Sequence, residues 1–184
     1  MPRYILFNKP YGVLSQFTGV AGQRTLAEFS FPAHVYAAGR LDKDSEGLLL
    51  LSDDGPFIKK LLDPENDHER VYWAEVEGVP TDAALEKLSR GVEFKGHRSK
   101  PCRVVIIDPQ PDIAERDPPV RFRKSIPTCW IELVLTEGKN RQVRRMTAAV
   151  GYPTLRLIRK KIGRLSLNDL TSGAWRDVQK SDIF

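Results

Sequence analysis

Residues 39–51 read GRLDKDSEGLLLL. The apolar run that begins at Gly47 has the length of a buried strand, and residues 35–38 form a shorter apolar run before it. Glycines at both ends of the intervening loop allow its backbone to turn tightly. This pattern predicts two strands with Asp42 exposed between them, where a carboxylate can act as a nucleophile or base. Loop chemistry by itself favours a simpler role for Asp42 and Asp44, as turn residues that hydrogen-bond nearby backbone.

Strand-like runs outnumber helical ones in the rest of the chain. Runs of strand length occur at 3–7, 13–17, 71–76, 103–107, 130–135 and 155–159, and helical patterns at 25–29, 57–62, 81–90 and 141–150. The regular strand–helix alternation of a doubly wound sheet is missing. We therefore predict an α+β fold with a mixed, mostly antiparallel sheet and few helices. A polar, turn-rich stretch predicts a boundary between an N-terminal lobe, residues 1–64, and a C-terminal lobe, residues 65–184.

Composition excludes several classes of protein. The 184 residues suit one domain, and no apolar run approaches the ~20 residues that a membrane-spanning helix needs. Cys102 and Cys129 lie in strand-like runs, which indicates buried free thiols and a reducing cytoplasm. The three histidines are scattered without metal-ligand spacing, so no metal site is predicted.

Basic residues are concentrated in one part of the chain. The net charge is +5, but residues 121–164 hold 12 Lys and Arg against 2 Asp and Glu, while the rest holds 17 against 22. Such asymmetry predicts a basic face for a polyanion rather than an evenly charged, solvated surface.

The basic segment contains a predicted helix. Residues 137–146 read EGKNRQVRRM, in which Asn140 is the predicted N-cap. Arg144 follows Arg141 by three residues and shares its helix face. These arginines can hold phosphates, or pair with a carboxylate in a cleft, or simply form the outer face of a basic helix.

Two further segments contain residues that suit RNA. Residues 70–78 read RVYWAEVEG, and strand alternation places Tyr72 on the same side as Ala74 and Val76. A tyrosine there either stacks on a nucleobase or, more usually, fills the core. Lys9, in the turn FNKPYG, can contact phosphate.

Together, the Asn-Lys-Pro-x-Gly turn, the GRLDKDSEGLLL loop, the strand around Tyr72 and the NRQVRRM helix resemble the small-subunit-type ribosomal branch of the pseudouridine synthases. Their order and spacing match over essentially the whole chain, apart from Arg70 where lysine is common and Ala74 where valine is common. The resemblance implies the pseudouridine synthase catalytic fold, with two lobes and a cleft between them. Because the first motif begins at Asn8, we expect a single catalytic domain over 1–184, without the N-terminal RNA-binding domain that most members of the branch carry.

The resemblance also implies a reaction: isomerisation of a specific uridine to pseudouridine in large-subunit ribosomal RNA, without cofactor or metal. We expect the protein to be a monomer. The base would be flipped into a basic cleft. Asp42 would then attack the anomeric carbon or remove a sugar proton to give a glycal. Tyr72 would stack on the base, Arg144, or as second choice Arg141, would pair with Asp42, and Leu157 would close the pocket wall. The residues expected to contact RNA are Lys9, Arg40, Lys139, Asn140, Arg141, Gln142, Arg145, Arg156, Arg159 and Lys160.

Two other functions fit part of the pattern. A noncatalytic RNA-binding protein would share the basic face and would not need Asp42. A glycoside hydrolase acting on a neutral sugar would use two carboxylates that flank one bond, such as Asp42 and Asp44. It gives no role to the basic segment.

Overall fold

The structure, a computed structural model, describes residues 1–121 and 125–183. The chain forms two compact units. Unit 1 comprises Met1–His68 and the C-terminal segment that begins at Ile158, and unit 2 comprises Glu69–Leu157. The first change of unit lies four residues beyond the predicted lobe boundary. The C-terminal segment belongs to unit 1, whereas the sequence pattern grouped it with the second lobe, because a return of the chain to an earlier sheet leaves no local signal.

The elements are short. The strands are β1 (Tyr4–Lys9), β2 (Val13–Leu14), β3 (Arg24–Thr25), β4 (Tyr36–Ala37), β5 (Glu46–Ser52), β6 (Arg70–Glu77), β7 (Glu93–Phe94), β8 (His97–Arg98), β9 (Arg103–Ile106), β10 (Thr128–Leu135), β11 (Thr154–Ile162), β12 (Leu165–Ser166) and β13 (Trp175–Asp177). The α-helices are α1 (Gly55–Leu62), α2 (Asp82–Ser89) and α3 (Gln142–Ala149), and none in the described ranges could cross a membrane.

In unit 1, β5 is an interior strand of the sheet. The order is β13–β1–β5–β11, with β1 antiparallel to both of its neighbours and β5 parallel to β11. All seven residues of β5 are buried, as expected for an interior strand covered on both faces. One face packs into a core of aliphatic and aromatic side chains that includes Ile5, Phe7, Leu49 and Leu51.

In unit 2, β6 lies between β10 and the start of β11. The ladder of β6 and β10 is antiparallel over eight residue pairs, and β9 extends it on the other side of β10. Helix α2 packs against β9 and α3 against β7. The predicted α+β class with a mixed, mostly antiparallel sheet is confirmed, since most pairings in the described residues are antiparallel.

Candidate active site

The backbone that precedes Asp42 is fixed by one buried hydroxyl. The Leu41 N–H donates to Ser15 Oγ at 3.0 Å, and Ser15 Oγ donates to the Leu41 carbonyl at 2.6 Å. Both Ser15 and Leu41 are buried. A reciprocal pair of this kind leaves the peptide before Asp42 little freedom.

The backbone that follows Asp42 is fixed as well. The Ser45 N–H donates to the Asp42 carbonyl at 3.0 Å and closes a turn, and the Gly12 N–H donates to the Lys43 carbonyl at 2.8 Å. Strand β5 begins one residue after Ser45. The side chain of Asp42 is half-buried. Asp42 therefore stands on a loop that is fixed on both sides. The loop lies between two strands as predicted, but Asp42 is half-buried rather than exposed.

A lysine is buried close to the carboxylates of this loop. Lys9 is 0 % exposed, and its Nζ donates to the carbonyls of Pro10 and Val13 at 2.8 Å each. Burial lowers the pKa of Lys9 from 10.5 to about 7. The carboxylates of Glu46, Asp44 and Asp42 raise this pKa, in that order, and Arg159 lowers it. Asp42 thus belongs to a group of charged side chains close enough to influence one another.

Arg159 is also buried, at 5 % exposure. Its Nε donates to the Leu48 carbonyl at 2.8 Å, and its Nη2 is buried without a hydrogen-bond partner among the described residues. The backbones of β5 and β11 approach closely at Gly47, where a Cβ would lie 2.4 Å from the Arg159 carbonyl oxygen. Gly47 also has φ +103°. Only glycine suits this position, which lies five residues after Asp42.

Unit 2 places Tyr72 in its core. Tyr72 is 9 % exposed and belongs to a cluster with Leu133, Val143, Met146 and Leu157. Tyr72 therefore shares this core with residues of α3 and β11. The same cluster contains Leu157, the predicted pocket residue.

Helix α3 begins differently from the prediction. Its N-cap is Arg141, which has φ +52° and makes no side-chain capping bond, so the assignment of Asn140 as N-cap is wrong. Gln142 organises the preceding loop instead: its Oε1 accepts from the Lys139 N–H at 2.9 Å and its Nε2 donates to Glu137 at 2.6 Å. The Asn140 side chain accepts a bond from Arg145 at 2.7 Å, and so does not cap the helix.

Arg144 is bonded to strand β11. Its Nη1 donates to the Thr154 carbonyl, the first residue of β11, at 3.1 Å. The hydroxyls of Thr147 and Thr154 lie 2.8 Å apart and join the same two elements. Arg144 and Arg145 therefore have different partners and point to different surroundings.

The sequence profile of the RNA pseudouridylate synthases matches residues 3–149, which include Asp42, Tyr72 and Arg144. The chain belongs to this family. The enzyme is accordingly an isomerase, and the resemblance of its motifs to pseudouridine synthases is confirmed.

Known relatives align with this pseudouridine synthase over most of its length. It is 52 % identical to ribosomal large subunit pseudouridine synthase E of Vibrio vulnificus, covering 96 % of this chain and 75 % of that protein. It is 53 % identical to the synthase of the same name from Xanthomonas campestris, covering 94 % and 93 %. A crystal structure of a pseudouridylate synthase superposes with a TM-score of 0.82 at 27 % identity, covering 100 % of this chain and 73 % of that one.

The predicted RNA-contacting residues of the synthase fall into two groups. Arg40, Lys139, Asn140 and Arg141 are exposed, and Arg145 and Lys160 are partly exposed. Lys9, Gln142, Arg156 and Arg159 are buried. Arg156 donates to the Ala114 carbonyl at 2.9 Å and lies over the Trp130 ring. Burial argues against direct contact of Lys9, Gln142 and Arg156 with phosphate, whereas Arg159 is buried with its Nη2 lacking a hydrogen-bond partner among the described residues.

Sequence reasoning did not identify Ser15 as part of the site. Ser15 lies in an ordinary strand-like run, and its partner Leu41 is 26 residues away. One sequence contains no signal for such a contact. The buried position of Lys9 was equally hidden, because a lysine in a polar turn is usually solvated.

Proposed function

We propose that the protein converts a uridine of large-subunit ribosomal RNA into pseudouridine, with Asp42 as the catalytic carboxylate. The observation that carries the role of Asp42 is its loop, fixed by Ser15 on one side and by the Ser45 and Gly12 bonds on the other. Preorganised placement of a reacting group is worth several kcal/mol, because orientation need not be gained during the reaction. The RNA substrate is supported by the names of the relatives from Vibrio vulnificus and Xanthomonas campestris.

The chemistry needs only rearrangement of the nucleotide. The bond from C1′ of the ribose to N1 of uracil breaks, and a bond from C1′ to C5 forms. The proton on C5 leaves and N1 gains one, so the composition does not change and no oxidant or reductant is required. Asp42 would assist either by attack at C1′ or by removal of a sugar proton. A reaction of this balance is consistent with the expected absence of a cofactor.

The base must leave its stack before it can react. Flipping costs a few kcal/mol of unstacking, and contacts with the RNA backbone can offset that cost. The exposed cations Lys139 and Arg141 at the start of α3 are suited to such contacts. Tyr72 and Arg144 are proposed to act in the same reaction, on the strength of the motif resemblance, with Arg144 orienting Asp42. Membership of the family removes the noncatalytic RNA-binding protein and the glycosidase as alternatives.

A map of pseudouridine in large-subunit ribosomal RNA tests the proposal. RNA from a strain that lacks the gene should retain uridine at one or more positions where the parent strain has pseudouridine. A plasmid carrying the gene should restore the modification. An unchanged map, or a loss only in another class of RNA, would overturn the assignment of the substrate.

A further inference from the structure

A hairpin of unit 2 displays basic residues that the function above does not use. Strands β7 and β8 pair antiparallel, with Glu93 opposite Arg98 and Phe94 opposite His97. The two residues of the turn, Lys95 and Gly96, have φ +46° and +73°. Positive φ at both positions is the geometry that matches the twist of a two-residue hairpin. Lys95 is thus held at the tip in a defined backbone conformation.

The hairpin is anchored firmly at its base. Phe94 is 8 % exposed and packs in the core of unit 2. Ser99 closes the hairpin, because its N–H donates to the Val92 carbonyl and its Oγ accepts from the Val92 N–H, both at 2.9 Å. The Lys100 N–H donates to Glu137 Oε1 at 2.8 Å. The charged side chains therefore project from a fixed platform rather than from a mobile loop.

The charge around this turn is mainly positive, although the hairpin also carries the exposed acid Glu93, which pairs with Arg98 across the ladder. Residues 94–103 contain no Asp or Glu and four exposed basic residues: Lys95, Arg98, Lys100 and Arg103. Within the described ranges, the side chains of Lys95 and Arg98 form no hydrogen bond or ion pair. Arg103 lies 3.8 Å from Glu132 but keeps 67 % of its side chain exposed, which makes the pair a weak one.

Two other exposed arginines of this protein differ from those of the hairpin. Arg24 pairs with Glu28, and Arg90 pairs with Glu86, each with an acid four residues away on the same surface. Those cations are locally neutralised. Among the described residues, Lys95 and Arg98 form no ion pair of this kind, so the excess of cations over Glu93 leaves a net positive charge at this surface.

The hairpin adjoins the basic start of α3. Strand β7 packs against α3, and the bond from Lys100 reaches Glu137, two residues before Lys139. The exposed side chains of Lys139 and Arg141 therefore lie near the hairpin within unit 2, with Glu137, 3.9 Å from Lys139 Nζ, as an acid among them. The count of charge along the sequence did not reveal this proximity, because the hairpin lies outside residues 121–164.

We propose that Lys95, Arg98 and Lys100 form a second binding surface for the sugar-phosphate backbone of the RNA substrate. The proposal rests on the proposed function, since it takes RNA as the polyanion. Arginine binds phosphate through two parallel N–H groups and lysine through a compact charge. Because the hairpin is already ordered, little conformational entropy is lost when it binds. Contacts of this kind increase affinity without reading the base sequence.

A charge-reversal variant tests the surface. The probe is an unmodified transcript of large-subunit ribosomal RNA, and the variant is Lys95→Glu with Arg98→Glu. Lys59→Glu with Lys60→Glu, in the exposed part of α1, is the control with the same change in net charge. Loss of two phosphate contacts should weaken binding at least tenfold at low salt and reduce the slope of log affinity against log salt by about 1.5. The control should change the affinity less than threefold.

Two outcomes would count against the hairpin. An equal loss of RNA affinity in the two variants would show that the net charge of the protein, rather than the hairpin, determines binding. Weaker binding to a precursor particle with unchanged binding to the transcript would point to a protein partner and overturn the RNA assignment. The milder pair Lys95→Asn and Arg98→Gln should show the same trend, and its thermal unfolding checks the fold. If the wild type binds the transcript without forming pseudouridine, the proposed function fails, while the binding comparison still decides the role of the hairpin.

Discussion

Ser15 fixes the peptide before Asp42 through a single buried oxygen that both donates and accepts. Its removal would leave the N–H and carbonyl of Leu41 without their partner in a buried place, and each loss of this kind costs roughly 1 kcal/mol. The effect on turnover is more informative than the effect on stability, because the loop that carries Asp42 would gain freedom. Ser15 is thus a positioning residue, which acts through the backbone of its neighbour.

Ser15→Ala should lower kcat about tenfold, equivalent to about 1.4 kcal/mol in the barrier, and change KM less than twofold. The matched control is Ser52→Ala. Ser52 is also fully buried and its hydroxyl also makes two bonds, to the Arg3 carbonyl and from the Asp54 N–H. It lies at the far end of β5, so its loss should reduce stability without affecting kcat. Equal kcat values for the two variants would contradict the positioning role.

Lys9 should make stability depend on pH. Its pKa is about 7 in the folded protein and 10.5 ordinarily, so the unfolded chain binds more protons between these values. Stability contributed by this group therefore rises with pH across that window, by up to about 1.4 kcal/mol per pH unit. Lys9→Met removes the titrating group. Denaturant unfolding at pH 7, 8 and 9 measures the free energy of unfolding of both proteins. The wild-type value minus the variant value should increase with pH. A constant difference across the three pH values would show that Lys9 does not titrate in this range.

At the scale of the elements, β5 determines where the Asp42 loop ends. Its position depends on the close approach of β11 at Gly47. The sequence predicts β5 well, because four leucines in a row after a glycine indicate a buried strand. It does not predict the parallel pairing with β11, whose partner residues are more than a hundred positions away.

Gly47→Ala should destabilise the fold by roughly 3 kcal/mol, because a Cβ would collide with β11 and the positive φ adds strain. Gly22→Ala is the control. Gly22 has φ +81° but no atom within 4 Å of the added Cβ, so only the strain remains. Gly22→Ala should therefore lower the free energy of unfolding by about 1 kcal/mol. Similar losses measured by urea unfolding would mean that the contact between β5 and β11 is unimportant.

The contacts of two adjacent arginines in α3 predict different catalytic effects when each is replaced. Arg144 is anchored to Thr154, whereas Arg145 is bonded to the exposed Asn140. Arg144→Lys should keep the charge but lose the planar fork, and kcat should fall by at least tenfold. In Arg144→Ala, kcat should fall further. Arg145→Ala should retain most of the single-turnover rate, and if it proves as damaging as Arg144→Ala, then Arg141 becomes the better candidate for orienting Asp42.

The sequence predicted α3 from its spacing but not its cap. Val143 and Met146 lie in the core as expected. The cap depends on Arg141 adopting φ +52° while Gln142 bonds back to Lys139. Residue type alone favours asparagine as a cap, so the error came from tertiary bonds that satisfy the helix start in another way.

At the scale of the whole molecule, the sequence identified the family and the class of partner but misplaced part of the basic surface. Motif order and spacing were sufficient for the family, because few folds combine the aspartate loop with the NRQVRRM helix. Charge counts placed Arg156 and Arg159 among the RNA contacts, yet both are buried against backbone carbonyls. A long cationic side chain either extends into solvent or turns inward, and sequence does not distinguish the two.

Asp42 carries the central claim, and tritium release measures it directly. RNA labelled at C5 of uridine loses that hydrogen when C5 bonds to the ribose. Asp42→Asn should reduce release by at least a thousandfold while RNA affinity stays within threefold of wild type. Asp44→Asn, two residues along the same loop, should retain at least a tenth of the activity. Release by Asp42→Asn within tenfold of wild type, or complete loss in Asp44→Asn alone, would contradict the assignment of Asp42 as the catalytic carboxylate.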